Sequence, residues 1–212
     1  MYIPSAFRIE CPEKLSRFMA GNSFATIVTH DGTSSFASHV PVLHRPGGGP
    51  HGRLLTHLAL ANPQGKHLAA GREAMVIFQG PHGYISPAWY ETSPAVPTWN
   101  YAVVHAYGTA AVIESPSDLA QLVDETVEQY EAPRQNRWNG ELPGDFKSRL
   151  MQAIVGFEIP ISRIEGKFKL GQNRSPADLA GVHEGLSQSI SSGDAELAAL
   201  MVAEGLVTPP NP

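Results

Sequence analysis

This chain has little cysteine, no long apolar run and no pattern typical of a signal peptide, and each absence excludes a class of protein. Among its 212 residues there is one cysteine, Cys11, which excludes an internal disulfide and is typical of a reducing compartment. No apolar run approaches the roughly 20 residues that a membrane-spanning helix needs. The first ten residues, MYIPSAFRIE, lack the basic and apolar regions of a signal peptide. We therefore expect a cytoplasmic protein with no membrane association.

Charged residues are also few, at 17% of the chain, and basic residues do not outnumber acidic ones. Lys and Arg number 15 against 20 Asp and Glu, which gives a net charge of -5. Binding to nucleic acid without sequence preference depends on neutralising phosphates with Lys and Arg, so this balance argues against it. Between Glu131 and Arg174, eight basic residues exceed five acidic ones. A surplus this small and scattered is more typical of a solvated surface than of a DNA footprint.

What the chain does have is enough apolar sequence for a full core, arranged as strands first and helices later. Hydrophobic residues make up 42% of the chain. Short apolar runs separated by turn signals predict an antiparallel barrel. The predicted strands cover Ser23–Thr29, Phe36–Leu43, Leu54–Leu58, Ala74–Gln79, Gly83–Ser86, Tyr101–Ile113 and Val155–Ile159.

The predicted helices are marked by their first residues. Ser115 is followed by proline and, three residues on, by Asp118, a pattern typical of a helix start, and Ser175 repeats it with Asp178. Further helices are predicted over Pro12–Ala20, from Phe146 to Ile154 and over Ala195–Leu206. The fold class is therefore α+β, mainly β with a helical C-terminal part. The last residues, TPPNP, are expected to be disordered.

One segment, ANPQGKHLAAG, has the composition of an anion site. Asn62 and Pro63 suit the start of a short helix, and Gly71 suits its end. The amides of Gln64 and Gly65, with the ammonium of Lys66, would then converge on one point. Such a point would suit a phosphate monoester, with help from Thr56 or His57. The alternative is a solvent-facing helix start with an exposed lysine.

Strand alternation and histidine spacing each allow more than one interpretation. In FASHVPV, Ser38 and Val40 lie on one face and His39 on the other, so one polar side chain is buried and needs a partner or a ligand. A satisfied core histidine is the plainer interpretation for His39, His57, His82 and His105. No histidine pair has the spacing of a helical metal site, and we expect no metal.

Polar and aromatic residues follow the later strands. Gln79 ends an apolar strand, where its amide could contact the polar edge of a flat heterocycle or cap its own strand. Trp99 could cover such a ring or fill the core. In GKFKLGQNR, alternation places Lys169 with Lys167 on one face and Phe168 with Leu170 on the other. The alternative here is an exposed basic strand end.

Taken jointly and in order, these segments resemble the PaiB-like family of FMN-binding proteins. The similarity includes MYIPSAF, SFATIVTHDG, ASHVPV, ANPQGK, VIFQGPHGYISPAWY, VPTWNYAVVHAYG and AIVGFEIPISRIEGKFKLGQNR. The resemblance implies a split β-barrel like that of pyridoxamine-phosphate oxidases, in one domain over residues 1–207 followed by a tail at 208–212. It also implies FMN bound in a cleft between the two subunits of a homodimer.

The resemblance further implies the residues that hold FMN. Asn62 and Lys66 would contact the phosphate. One wall would be lined by Ser38, His39, Val40, Thr56, His57 and Gln79, and the partner subunit would supply Trp99, Asn100, Tyr101, Lys169, Gln172 and Arg174. Leu60 stands where family members often have arginine, and the loop at 91–95 is shorter than usual and lacks a lysine. The first departure is expected to lower the affinity for the flavin, and the second leaves open whether the loop covers it.

Three functions remain open. The family is described as a negative transcriptional regulator, although the surest helix, from Ser115 to Tyr130, is acidic and unlike a DNA-recognition helix. DNA is thus a partner by family inference only. The chain could instead be an FMN-dependent oxidoreductase, either a flavin reductase or an enzyme like pyridoxamine-phosphate oxidase, in which the cofactor carries the hydride chemistry. No catalytic acid or base stands out. A flavin-responsive sensor that contacts another protein is the third hypothesis.

Overall fold

The computed structural model describes residues 1–208. Residues 209–212, which make up most of the predicted tail, lie outside the described residues. The described part contains nine strands and six α-helices, besides single turns of 3-10 helix at Ser5–Phe7 and Pro87–Trp89. The strands are β1 (Arg8–Ile9), β2 (Phe24–His30), β3 (Ser35–Pro41), β4 (Leu43–Arg45), β5 (Arg53–Ala59), β6 (Glu73–Ile85), β7 (Thr98–Thr109), β8 (Ala111–Ile113) and β9 (Ile154–Lys169). The helices are α1 (Pro12–Gly21), α2 (Gln64–Ala69), α3 (Pro116–Glu131), α4 (Gly144–Met151), α5 (Pro176–Ser187) and α6 (Ser192–Ala203).

The strands form one antiparallel sheet. Its order is β3-β2-β6-β7-β9-β5-β4, and β1 and β8 pair with β9 outside that path. β2 pairs with β3 so that Thr26 faces His39, and β5 pairs with β9 so that Thr56 faces Phe157. This order makes β3 an edge strand, and an edge strand presents unpaired backbone groups to whatever lies beside it.

Contacts divide the chain into two compact units. Unit 1 comprises Met1–Leu15, Gln79–Val104 and the chain from Glu165 onward, and unit 2 comprises Ser16–Phe78 and His105–Ile164. Strands β6, β7 and β9 run through both. The prediction of a single domain over residues 1–207 stays a prediction.

Unit 2 owes its core to period-two burial along its strands. In β2, Ala25 and Ile27 are buried, and in β5, Leu54 and Leu58 are buried, while the residues between them alternate toward solvent. Gly108 permits the closest backbone approach in this core, because a side chain there would start 2.2 Å from the carbonyl oxygen of Pro160. Strand pairs that close require glycine.

Unit 1 is built around α5 and α6. Leu186 and Leu197 are fully buried there. Two glycines one helical turn apart, Gly181 and Gly185, leave room for Trp89: a Cβ at Gly181 would lie 2.1 Å from the Trp89 carbonyl oxygen, and a Cβ at Gly185 would lie 2.4 Å from the indole ring. The segment carrying Trp89 is thereby held against α5.

The helix starts were predicted well and the strand ends less well. Ser115 and Ser175 each accept a hydrogen bond from the amide three residues on, which confirms both predicted helix starts. The two strands predicted at Ala74–Gln79 and Gly83–Ser86 are one strand, β6, that continues through Gly80 and Pro81. The strand predicted at Tyr101–Ile113 is two, β7 and β8, and the one predicted at Val155–Ile159 is the first part of the 16-residue β9. No helix among residues 1–208 is both long and apolar enough to cross a membrane.

Candidate functional site

In unit 2, Asn62 joins the end of β5 to β3. Its Nδ2 donates to Ser38 Oγ at 3.0 Å, and its Oδ1 accepts from the amide of Gln64 at 3.0 Å. The Ser38 oxygen therefore already accepts one hydrogen bond, while its own hydroxyl proton is left to donate. Ser38 and Val40 are half-buried on β3, whereas His39 is exposed and its Nδ1 lies 2.9 Å from Thr26 Oγ1.

The start of α2 does not offer the free amides that the sequence predicted. The amide of Gln64 is taken by the Asn62 side chain, and the amide of Gly65 donates to the Asn62 carbonyl at 3.1 Å. Helix α2 has six residues and begins at Gln64 rather than at Pro63. The expectation of two open amides is therefore wrong, and the exposed ammonium of Lys66 is what this segment presents to an anion.

Gln64 is the residue of this segment that the sequence interpretation missed. Its side chain is 0% exposed, and its Nε2, which has two N–H groups to donate, lies 2.9 Å from Ile27 O, 3.2 Å from Thr29 Oγ1 and 3.2 Å from Phe36 O. The amide thus ties α2 to β2 and β3. A glutamine at a helix start gives no sequence signal for burial, since Gln is mostly exposed in proteins.

Two predicted residues on β5 differ in how free they are to meet a ligand. Thr56 is buried and its hydroxyl donates to Pro41 O at 2.7 Å, so it is committed to holding β5 against the end of β3. His57 is half-buried, and burial lowers the pKa of its imidazole below the ordinary histidine value. A lowered pKa keeps His57 neutral at pH 7, able to donate one hydrogen bond and accept one.

In unit 1, the predicted residues Gln79 and Trp99 lie in a cluster of exposed rings. Gln79 Nε2 lies 3.4 Å from His82 Nδ1, and the His82 ring is tilted 30° to the Trp99 indole with centroids 6.4 Å apart. Tyr84 meets the same indole edge-on at 6.2 Å. Trp99 remains 55% exposed. This cluster offers an aromatic face and an amide to a flat ligand.

Next to this cluster lie three cationic side chains. Lys169 donates to Thr98 Oγ1 and to the Trp99 carbonyl, each at 2.5 Å. Lys167 is buried, donates to Tyr2 O at 3.1 Å and lies 5.1 Å from the centroid of the Tyr101 ring. Arg174 stacks over Tyr90 at 4.2 Å. Phe168 and Leu170 are buried as the alternation predicted, but Lys167 is buried as well, so burial does not separate the two faces.

Burial is the main cause of the lowered pKa of Lys169, and the charges of Lys167 and Arg174 lower it further. Gln172 is used differently from its neighbours. It accepts from the Leu170 amide at 2.9 Å and donates to Phe168 O at 2.6 Å, so both ends of its amide cap β9. A ligand that Gln172 contacts would therefore have to compete with the end of β9 for the same amide oxygen and nitrogen.

The loop after Tyr90 is fastened by Asp178. The Asp178 carboxylate accepts from the amides of Glu91 at 2.9 Å and Thr92 at 3.0 Å. These hydrogen bonds hold the pKa of Asp178 below its ordinary value, and the one from the Thr92 amide has the largest effect. The segment from Trp89 to Thr92 is thus held in place by α5.

The predicted residues therefore fall into two sets, each gathered by one unit. Unit 2 brings together Ser38, His39, Val40, Thr56, His57, Asn62 and Lys66, and unit 1 brings together Gln79, Trp99, Asn100, Tyr101, Lys169, Gln172 and Arg174. Gln79 lies in unit 1, whereas the other residues predicted for the same wall lie in unit 2, and its place in that wall stays a prediction. Across the described residues, no three His, Cys, Asp or Glu side chains are grouped as metal ligands.

The chain was compared with protein families, with known proteins and with solved structures. Residues 1–163 match the family described as "Putative FMN-binding domain". The chain is 37% identical over 203 residues to "Protease synthase and sporulation protein PAI 2" of Bacillus subtilis, covering 95% of this chain and 96% of that one.

Two solved structures share the fold. The flavocytochrome Anf3 of Azotobacter vinelandii has a TM-score of 0.61 at 14% identity, over 78% of this chain and 70% of its own. An FAD- and heme-binding protein of Mycobacterium smegmatis has a TM-score of 0.61 at 16% identity, over 82% and 78%. At these identities the likeness concerns the fold alone.

The fold is thus a split β-barrel of the flavin-binding type. The chain belongs to the FMN-binding domain family and is an FMN-binding protein of the PaiB type, with FMN as its cofactor. The side chains of the two sets fit that cofactor chemically. FMN combines a flat ring that has a polar edge with a phosphate, and the sets offer an exposed indole, amide and hydroxyl groups, and cations.

Proposed function

We propose that FMN is bound between two subunits, with the Ser38 and Asn62 set from one subunit and the Trp99 and Lys169 set from the other. The exposed indole of Trp99 suits the flavin ring, and the cations beside it suit the negative charge of the phosphate or the ring carbonyls. The Ser38 hydroxyl and neutral His57 suit the polar ring edge.

A second subunit is part of this proposal because unit 2 exposes large apolar side chains. Phe24 is 67% exposed and Leu60 64%, and β3 lies at the sheet edge. Exposed large apolar side chains and an unpaired strand edge both suit contact with a second subunit. We expect a dimer by light scattering after size exclusion, and Phe24→Asp to weaken it. A wild-type monomer that still binds FMN would contradict the shared site.

FMN binding can be tested on the purified chain. Flavin fluorescence should be quenched on titration, and Ser38→Ala should weaken FMN binding several-fold through the loss of about one hydrogen bond. Ser148→Ala, which removes an exposed hydroxyl on α4, is the matched control and should bind FMN as the wild type does. Equal affinities of all three proteins would exclude Ser38 from the site.

We further propose that bound FMN serves regulation. This proposal is supported by the 37% identity, over 95% of the chain, with a protein named for protease synthesis and sporulation. The decisive experiment compares the binding of the FMN-loaded and FMN-free proteins to duplexes from promoters of protease and sporulation genes and to random duplex, by fluorescence anisotropy at physiological salt. A regulator that contacts DNA should prefer a promoter duplex and respond to FMN. No preference in either form would exclude direct DNA contact and leave a protein partner, to be sought by FMN-dependent capture.

An FMN-dependent oxidoreductase is the second candidate. It is favoured by the exposed ring cluster and the cations around Trp99, which could also receive a second molecule. FMN would supply the hydride chemistry, and the chain would orient both molecules. Anaerobic mixing of the FMN-loaded protein with NADH or NADPH should bleach the flavin absorbance. A persistent oxidised spectrum with both would count against this candidate.

We also propose that the protein works in the cytoplasm, which suits the exposed free thiol of Cys11. Fractionation of the source cells should recover it with cytoplasmic markers, and recovery with secreted proteins would contradict this.

A further inference from the structure

Unit 2 has a groove whose lining residues belong to neither predicted flavin set. The groove is bounded by residues 118–125 of α3, by residues 111–114 and by side chains of β4, β5 and β9, and we call it the α3 groove. Its volume is about 500 Å³. Pockets that bind small molecules commonly measure about 300 to 1,000 Å³. The α3 groove therefore has the size of a small-molecule site.

Strand register explains why the side chains from the sheet meet in this groove. Leu55 on β5 and Ala111 on β8 both pair with Glu158 on β9, so the three lie in one row across the sheet. Arg45 pairs with Arg53, which lies two residues before Leu55. Side chains two residues apart on a strand share a face, so both arginines lie on the face of that row. All five residues belong to unit 2.

The two arginines of the groove each have an acidic partner. Arg45 Nε donates to Glu125 Oε2 at 3.1 Å, and Arg45 NH2 lies 2.9 Å from the same oxygen. Arg53 Nε lies 3.7 Å from Glu158 Oε2. These two positive and two negative charges offset one another, so neither arginine leaves the groove an excess of positive charge.

Two further carboxylates line the same groove without a cationic partner. Glu114 and Asp118 are exposed, and neither forms an ion pair with any of residues 1–208. Four carboxylates against two guanidinium groups leave the groove with a net charge of -2. A cleft lined by an excess of one sign of charge raises the local concentration of ions of the other sign. The unpaired charge of this groove therefore favours a cation.

The groove also offers apolar surface beside these carboxylates. Val112 is 39% exposed, Leu55 is half-buried and Leu122 is buried at the α3 side. Covering such surface with an apolar group removes it from water, which is favourable in proportion to the area covered. The combination of apolar surface and negative charge suits an organic cation that has an apolar body.

We propose that the α3 groove binds a small organic cation of this kind. An ammonium or guanidinium group would donate charge-assisted hydrogen bonds to Glu114 and Asp118, and the apolar body would cover Val112 and Leu55. The proposal is independent of the FMN site, because no residue that lines the groove was assigned to the flavin.

The first experiment tests the charge that the groove selects. The full chain, with FMN added, is titrated with benzylamine, and binding is followed by saturation-transfer NMR of the ligand. Benzyl alcohol and benzoate carry the same ring and are neutral and anionic. Benzylamine should bind about tenfold more tightly than benzyl alcohol, and benzoate should bind more weakly than both. Failure of benzylamine to bind, or binding of either comparison molecule as tight as that of benzylamine, would overturn the proposal.

The second experiment tests the location of the site. Glu114→Gln and Asp118→Asn each remove one charge with little change of shape, and each should weaken benzylamine binding about fivefold. Val112→Thr should weaken it about twofold, because it makes the apolar surface more polar. Glu141→Gln is the matched control, since it removes the same charge from an exposed position of unit 2 outside the groove, and it should bind benzylamine as the wild type does.

Circular dichroism and thermal unfolding establish that each variant is folded. Folded Glu114→Gln and Asp118→Asn variants with wild-type affinity for benzylamine would overturn the proposal, and so would a Glu141→Gln variant that loses as much affinity as they do. Flavin fluorescence is recorded on the same samples. Loss of FMN binding there would contradict the FMN site and leave the benzylamine result unchanged.

Discussion

The two units use their buried polar groups in opposite ways. In unit 2, the two N–H groups of Gln64 Nε2 are used by three nearby acceptors of the protein itself, and Thr56 donates to Pro41 O. In unit 1, the side chain of Asn100, which is 3% exposed, makes no hydrogen bond with the described residues, and Lys169 lies near the positive charges of Lys167 and Arg174. A buried polar group that is hydrogen-bonded within the protein supports the fold, and its loss costs stability. A polar group without an internal partner is available to water or to a ligand.

The largest expected effect is that of Gln64→Leu. The substitution removes the two N–H groups that tie α2 to β2 and β3, and we expect the free energy of unfolding to fall by about 2 kcal/mol. Urea unfolding monitored by circular dichroism measures this. Because Gln64 Oε1 itself has no partner among the described residues, the loss should come from the Nε2 side of the amide. A loss below about 0.5 kcal/mol would break the comparison on the unit 2 side.

Thr56→Val should have a smaller effect. Valine keeps the shape of threonine but cannot donate to Pro41 O, so we expect a loss of about 1 kcal/mol in the same unfolding experiment. Thr109→Val, at the exposed end of β7, is the control and should change stability little. A Thr56→Val protein as stable as the wild type would mean that the hydroxyl is not needed for the fold and is available to a ligand.

Asp178→Asn sharpens the comparison, because Asp178 is a polar group of unit 1 that is satisfied internally. Its folded pKa lies below the ordinary value, so its charge contributes stability that is present above the ordinary pKa. That contribution is lost as pH falls below about 4 and through the folded pKa. The variant should unfold at a lower temperature than the wild type at pH 7, and the gap should close in acid. A gap that is constant with pH would exclude the carboxylate charge as its cause.

The smallest effect on stability should be that of Asn100→Leu, although both Asn100 and Gln64 are buried. The substitution breaks no hydrogen bond among the described residues, so we expect a change within about 0.5 kcal/mol. The measurement is urea unfolding of the FMN-free chain, side by side with Gln64→Leu. A loss as large as that of Gln64→Leu would show that Asn100 supports the fold, and the contrast between the units would fail.

Local signals in the sequence predicted much of the fold, and the places where prediction failed share a cause. The Ser-Pro-x-Asp helix starts depend on neighbouring residues alone, and both are confirmed. Strand limits depend on partners that are distant in sequence. Gly80 and Pro81 resemble a break but lie within β6, and Pro160 lies within β9 opposite Arg53. The sheet overrides the local turn preference there.

The same distinction applies to the site. Residue types and their order indicated which side chains to examine, including Asn100 and Lys169. Sequence could not show that the amides of Gln64 and Gly65 are already used, since their acceptors depend on the conformation around Asn62. Nor could it show that Asn100 has no partner. Satisfaction of a polar group is a property of three-dimensional neighbours, so it emerges only with the coordinates.

The attachment of the Trp89 segment to α5 has a consequence for how this protein can vary. Four consecutive residues are anchored: Trp89 by two glycines, Tyr90 beneath Arg174, and Glu91 and Thr92 by one carboxylate. The segment that α5 holds therefore ends at Thr92. A change in the length of the loop that follows need not move Tyr90.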